Sequence, residues 1–165
     1  MVVVSDTSPI SNLFRIGRLE LLQLVYERVV VPEAVMRELL ELEKRGIDLA
    51  PIKQAGWIET TPVKDLDMVV SFKQKMIDEG ESEAIVLAIE LQADYLLIDE
   101  RLGRAVAESA GIKVVGLLGT LREAKRPGFI PVIKPIIDQM RTVARFRISE
   151  TLYRLILTEA GEADN

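Results

Sequence analysis

Along this chain, short runs of β-branched residues alternate with longer stretches of helical spacing. MVVVS opens with a run that predicts a strand over 2–5, and Ser8-Pro9 then supplies an N-cap and first-turn pair to start a helix. That helix is expected to break near Gly17 and to resume over 19–25. ERVVVP (27–32) predicts a second strand closed by Pro32, which also suits the first turn of the next helix. PEAVMRELLELEKRG (32–46) has helical spacing and ends on Gly46, a residue suited to a C-cap. WIETTPV (57–63) reads as an extended segment. DLDMVVSFKQKMIDEG (65–80) reads as a helix stopped by Gly80, and ESEAIVLAIELQAD (81–94) as a second, heavily apolar one. YLLID (95–99) and KVVGL (113–117) are short buried strands flanking the helix ERLGRAVAESAG (100–111). Beyond Gly128 the pattern is helical through PVIKPIIDQMRTVA (131–144) and SETLYRLILTEAG (149–161).

Strands separated by helices of this length need crossover connections. The expected architecture is therefore α/β: a three-layer α/β/α sandwich with a mainly parallel central sheet. With no repeat and no linker, residues 1–165 are read as one domain. The helices from about residue 131 onward are expected to pack on it or on a second subunit, through residues such as Ile148, Leu152, Leu155 and Ile156.

Composition narrows the chemistry. The chain has neither cysteine nor histidine. That removes disulfides, ordinary zinc sites, an imidazole base and the Ser-His-Asp and Cys-His machineries. What is left is carboxylates, hydroxyls, Lys, Arg, Tyr or a borrowed metal held by oxygen ligands, which points to Mg²⁺ or Mn²⁺. The longest apolar stretches are interrupted by charges, and the first residues lack a basic n-region and a cleavage site. No membrane span or export signal is expected, and a cysteine-free chain fits a cytoplasmic protein. The net charge of −5 is unevenly spread: residues 1–100 carry 10 basic and 19 acidic side chains, residues 101–165 carry 11 and 7. An acidic half beside a basic half suits a metal site next to an anion-binding surface, although solvated helix faces give the same pattern.

The acids fall at telling places. Asp6 and Asp99 each follow a predicted strand at its carboxyl end, where open parallel sheets bind ligands. If the two strands are neighbours, the aspartates lie near each other; taken singly, each is equally a polar stop or a helix cap. Glu38 borders the apolar stripe of its helix, with Glu41 further toward solvent. Glu81 and Glu83 stand in the first turn of an apolar helix, where the helix dipole alone favours negative charge. Four carboxylates around one crevice raise one another's pKa, and a divalent cation would resolve that conflict and activate water without histidine.

The stretches VVSDTSPISNL, VPEAVMREL, GESEAIVLA, LLIDERLGRAVAESAGIKVVGLLGTLREAK and RFRISETLYRLILTEAGE together resemble PIN-domain proteins, in the branch related to VapC-type toxin ribonucleases. The resemblance runs from about residue 2 to 162. It implies four metal-holding catalytic acids: Asp6, Glu38, Glu83 with Glu81 as its rival, and Asp99. Thr7, Ser8 and Asn12 take the supporting polar positions. The third acid is Glu where the toxins usually have Asp, and IDER stands where they tend to have Thr-x-Asp. The implied activity is a ribonuclease dependent on Mg²⁺ or Mn²⁺, the toxin of a toxin–antitoxin pair, with RNA, an antitoxin protein and a second copy of the chain as partners. Arg101 and Arg104, directly after Asp99, and Arg122, Lys125 and Arg126 are the nearest RNA-binding candidates.

Two other classes fit parts of the pattern. Haloacid-dehalogenase enzymes need a second Asp two residues after the first, and Ser8 stands there. Receiver domains need an acidic pair after the first strand and a lysine after the last, whereas Lys113 precedes KVVGL's valines. The remaining rival is a PIN fold that holds RNA or protein and cuts poorly or not at all.

Overall fold

β-Branched and leucine runs form the sheet because successive residues on a strand face opposite sides, and both sides here are apolar. The computed structural model describes residues 1–163. Its five strands are β1 (Val3–Ser5), β2 (Val29–Pro32), β3 (Ile58–Thr61), β4 (Tyr95–Leu97) and β5 (Val114–Val115). They form one all-parallel sheet in the order β3-β2-β1-β4-β5.

The helices cover both faces. Val3, Val29, Val31 and Leu97 face one core layer, built with α1 (Thr7–Arg15), α2 (Glu20–Tyr26), α3 (Glu33–Leu40), α8 (Leu117–Lys125), α9 (Lys134–Thr142) and α10 (Glu150–Glu159). Val4, Val30, Leu96 and Ile98 face the other, built with α5 (Leu66–Lys73), α6 (Glu79–Glu90) and α7 (Arg101–Ser109). A short helix, α4 (Ala50–Lys53), precedes β3. This is the three-layer α/β/α sandwich expected from the alternation of elements. Ile136, Met140, Tyr153, Ile156 and Leu157 of the last two helices share the first core layer.

Several local expectations are corrected. The first helix starts at Thr7, with Asp6 in the N-cap position, so Ser8-Pro9 is not its cap. Pro9 still lies in the first turn, where its missing N–H costs nothing. Gly80 does not stop a helix. α5 ends at Lys73, the chain turns through Met76 at a φ of 68°, and Gly80 lies inside the first turn of α6. Asp78 starts α6 with a capping box: its carboxylate accepts from the Glu81 N–H (2.8 Å), and its own N–H donates to the Glu81 carboxylate (3.0 Å). The helix after β2 turns 3-10 over Glu41–Arg45 before its Gly46 C-cap. The pattern does not foretell α8, because VVGLLGT reads as one apolar run, yet β5 ends at Val115 and Gly116 begins a helix.

The topology places the site. Strand order reverses between β1 and β4, whose register pairs Ser5 with Leu97. In an open parallel sheet, that switch point leaves a crevice at the strand carboxyl ends. Asp6 and Asp99 stand on its two sides.

Candidate active site

Asp6 closes β1. Its N–H donates to the Leu97 carbonyl (2.9 Å), which ties it to β4, and it is 4 % exposed. Although it holds the N-cap position of α1, its side chain makes no capping bond. Its carboxyl is pushed up to about 8, first by burial and then by the nearby charges of Asp78, Glu81 and Glu38; the Thr7 N–H works against them.

Glu38 reaches the same place from α3. Thr7 Oγ1 donates to Glu38 Oε2, joining the first turn of α1 to the middle of α3. Burial pushes Glu38 upward, Asp78 and Glu79 add to that, and the Thr7 hydroxyl and Gly80 N–H oppose it. Glu81 completes the group from α6. It is 6 % exposed and also raised, by burial first and then by Asp78, Glu100 and Glu38.

The two candidate glutamates of α6 go to different places. Glu83 Oε2 accepts from the Ala34 N–H (2.9 Å) in the first turn of α3, and Arg37 lies 4.0 Å from its other oxygen. Glu83 therefore ties α6 to α3, and Glu81 faces Asp6 and Glu38. Asp78 joins them as an acid that sequence reasoning missed. Its signal was the spacing Asp78-x-x-Glu81, which marks a helix start.

Asp99 lies on the β4 side. Leu117 N–H donates to its Oδ1 (2.8 Å), while Oδ2 is buried with no hydrogen-bond partner. Burial raises its carboxyl to about 6, with the Leu117 N–H and Arg104 pulling the other way. Glu100 links the two sides electrostatically, since it raises both Asp99 and Glu81. Of the supporting polar residues, Thr7 holds Glu38. Ser8 Oγ and Asn12 Nδ2 contact each other (3.4 Å) and line the groove described below.

No Lys or Arg forms an ion pair with Asp6, Glu38, Glu81 or Asp99 among the described residues. Asp6, Glu38 and Glu81 thus form an acidic cluster that no ion pair among the described residues neutralises, while Arg104 partly offsets Asp99.

A family model described as a PIN domain matches residues 2–162. The chain belongs to the PIN-domain family. No curated protein matches it. PIN domains are in general nucleases, hydrolases that use divalent metal ions.

The donor set of this PIN domain is all oxygen, which fits Mg²⁺ or Mn²⁺. The bare Asp99 Oδ2 and the raised carboxyl of Asp6 are what an added cation would satisfy. Among the described residues no three acids already form a metal-holding group.

Beside the acids, a groove of about 1440 Å³ runs from Asp99, Ser8 and Asn12 past α7 and α8 to the 144–148 segment. Arg101, Arg104, Arg122, Arg145 and Arg147 line it. Two expected RNA-binding residues are elsewhere. Lys125 Nζ donates to Glu162 Oε1 and to the Ala160 carbonyl (both 2.6 Å), so it fastens the C-terminal segment. Arg126 does not line the groove and pairs with Glu123 (3.0 Å), which does. Arg122 lines the groove while reaching Glu159 (3.0 Å). No helix among the described residues is long and apolar enough to cross a membrane.

Proposed function

We propose that this PIN domain is a Mg²⁺- or Mn²⁺-dependent endoribonuclease, the toxin of a toxin–antitoxin pair. The observation that carries the reading is the cluster of buried Asp6 and Glu81 with half-buried Glu38 at the switch point, with no cationic partner among the described residues. Asp6, Glu38, Glu81 and Asp99 would hold the metal. When bound, a divalent ion lowers the pKa of water and offsets charge developing on a phosphodiester. Thr7 donates to one oxygen of Glu38, and the Gly80 N–H also faces that carboxylate. Arg101 and Arg104 lie beside Asp99, where they would attract and orient the RNA backbone. The groove's arginines suit contacts to the RNA backbone, and Phe146 lies between two of them, Arg145 and Arg147. An RNA substrate, an antitoxin protein, a second copy of the chain and a cytoplasmic setting all belong to this reading.

The spread of the carboxylates favours a second reading, in which the fold holds RNA or protein without cutting it. Purified protein incubated with RNA and Mn²⁺ or Mg²⁺ separates the two. The nuclease reading expects cleavage by the wild type and none by Asp6→Asn or Asp99→Asn. Equal cleavage by all three marks a contaminant and sinks the nuclease reading. Retention of RNA on the protein without cleavage moves the assignment to the binding module.

A further inference from the structure

The glycines of this chain fall into distinct groups. Gly17, Gly46, Gly111, Gly128 and Gly161 have positive φ, and a Cβ at any of them would meet nothing within 4 Å, so backbone conformation explains them. Gly80, Gly103 and Gly116 lack positive φ, and any residue could adopt their backbone. What they share is a neighbour. A Cβ on Gly80 would lie 2.5 Å from Glu38 Oε1 and 2.9 Å from Oε2. One on Gly103 would lie 2.7 Å from Glu81 Oε1 and from Ile98 Cδ1. One on Gly116 would lie 3.0 Å from Asp99 Oδ1 and 2.6 Å from Arg104 Nη1.

We propose that Gly80, Gly103 and Gly116 are positioning residues that leave the space in which the carboxylates of Glu38, Glu81 and Asp99 lie, and so set where those oxygens can meet a divalent ion. The inference rests on the metal-site reading of these acids. Gly80 and Gly103 sit in the first turns of α6 and α7, where glycine is a poor helix former. Their cost to the helix has no conformational return; at Gly80 the Glu38 carboxylate alone stands in the way, and at Gly103 the Glu81 carboxylate shares the space with Ile98. At Gly80 the obstructing atoms are the ends of a flexible side chain. An alanine there displaces the Glu38 carboxylate and leaves the helix intact or firmer.

Stability and metal affinity should therefore move in different directions. The test compares wild type, Gly80→Ala, Gly103→Ala and Gly56→Ala by Mn²⁺ calorimetry and by thermal melting in EDTA. Gly56 has open space around it and no positive φ, which makes it the control. Gly80→Ala and Gly103→Ala should bind Mn²⁺ roughly 10- to 100-fold more weakly, the usual penalty for disturbing the partners of a metal ligand. Gly80→Ala should melt no lower than wild type, and Gly56→Ala should bind as wild type does. Placing Gly80→Ala in a Glu38→Asp background supplies the second arm. Shortening the side chain withdraws its oxygens from the seat, so the alanine should cause no further loss there.

Wild-type affinity in Gly80→Ala and Gly103→Ala overturns the proposal. So does an equal loss of Mn²⁺ binding in the Glu38→Asp background, because that would place the effect in general packing. Failure of the metal reading itself looks different: the wild type then takes up no Mn²⁺, and the seats lose their purpose with it.

Discussion

Replacing Asp6 with asparagine should stabilise the metal-free protein at neutral pH while removing its response to metal. Asp6 is 4 % exposed, and its carboxyl is raised from 3.8 to about 8. A group with a raised folded pKa contributes stability below its unfolded value, and that stability is lost as pH rises toward the folded value. For Asp6 the window runs from about pH 4 to about pH 8. Each unit is worth about 1.4 kcal/mol, so at pH 7 the handicap is on the order of 4 kcal/mol. Asparagine keeps the shape and an acceptor oxygen for the Thr7 N–H but carries no charge. In EDTA at pH 7, Asp6→Asn should therefore melt roughly 10 °C above wild type, at the few degrees per kcal/mol typical of this chain size. The gap should shrink to a few degrees at pH 5. Mn²⁺ should raise the melting temperature of wild type and leave the variant unchanged. Thermal melts across pH 5–8.5, with EDTA or Mn²⁺, read all of this. An Asp6→Asn protein that melts with or below wild type at pH 7, or that still responds to Mn²⁺, refutes the reasoning.

Three further outcomes follow from the surroundings. Mn²⁺ affinity should rise with pH between 6 and 8, because Asp6 must lose its proton to bind, and proton release in calorimetry should accompany the binding. Arg101→Ala with Arg104→Ala should weaken RNA retention and flatten its salt dependence by about 0.7 in log–log slope for each phosphate no longer neutralised, whereas Arg126→Ala should leave both unchanged in a filter-binding titration. Glu162→Ala should cost about 1–3 kcal/mol in urea unfolding with little effect on RNA binding. Its carboxylate holds Lys125 (2.6 Å) and the N–H groups of Ile133 (2.7 Å) and Lys134 (2.8 Å) at the start of α9.

How far the sequence reached depends on what each residue's position demands. The sheet was legible because VVV, VVVP and YLLI are buried on both faces, which only a covered parallel sheet explains. Asp6 and Asp99 were legible for the same reason: a polar residue at the end of such a strand stands at the crevice. Which glutamate of α6 faces them was not. Glu81 and Glu83 are two residues apart, so they point about 200° apart around the helix. Their order on the crevice depends on how α6 sits against α3, which the bond from Ala34 to Glu83 reveals. The tie of Lys125 to Glu162 was hidden because its partner is 37 residues away, where no local pattern can reach. Asp78 was hidden inside a stretch that read as one helix until the turn at Met76 divided it.

The proposed metal-dependent nuclease site is the cluster around Asp6, with Glu81 in it. One RNA-cleavage assay in Mn²⁺, run with wild type, Glu81→Gln and Glu83→Gln, addresses it directly. Glutamine keeps the capping-box bond at position 81 and the acceptor for the Ala34 N–H at position 83, so both variants should fold. Wild type should cut, Glu81→Gln should lose more than the roughly 100-fold seen when only a ligand's outer partner is removed, and Glu83→Gln should stay within about tenfold of wild type. No cleavage by wild type, or cleavage that survives in Glu81→Gln and disappears in Glu83→Gln, would contradict the account.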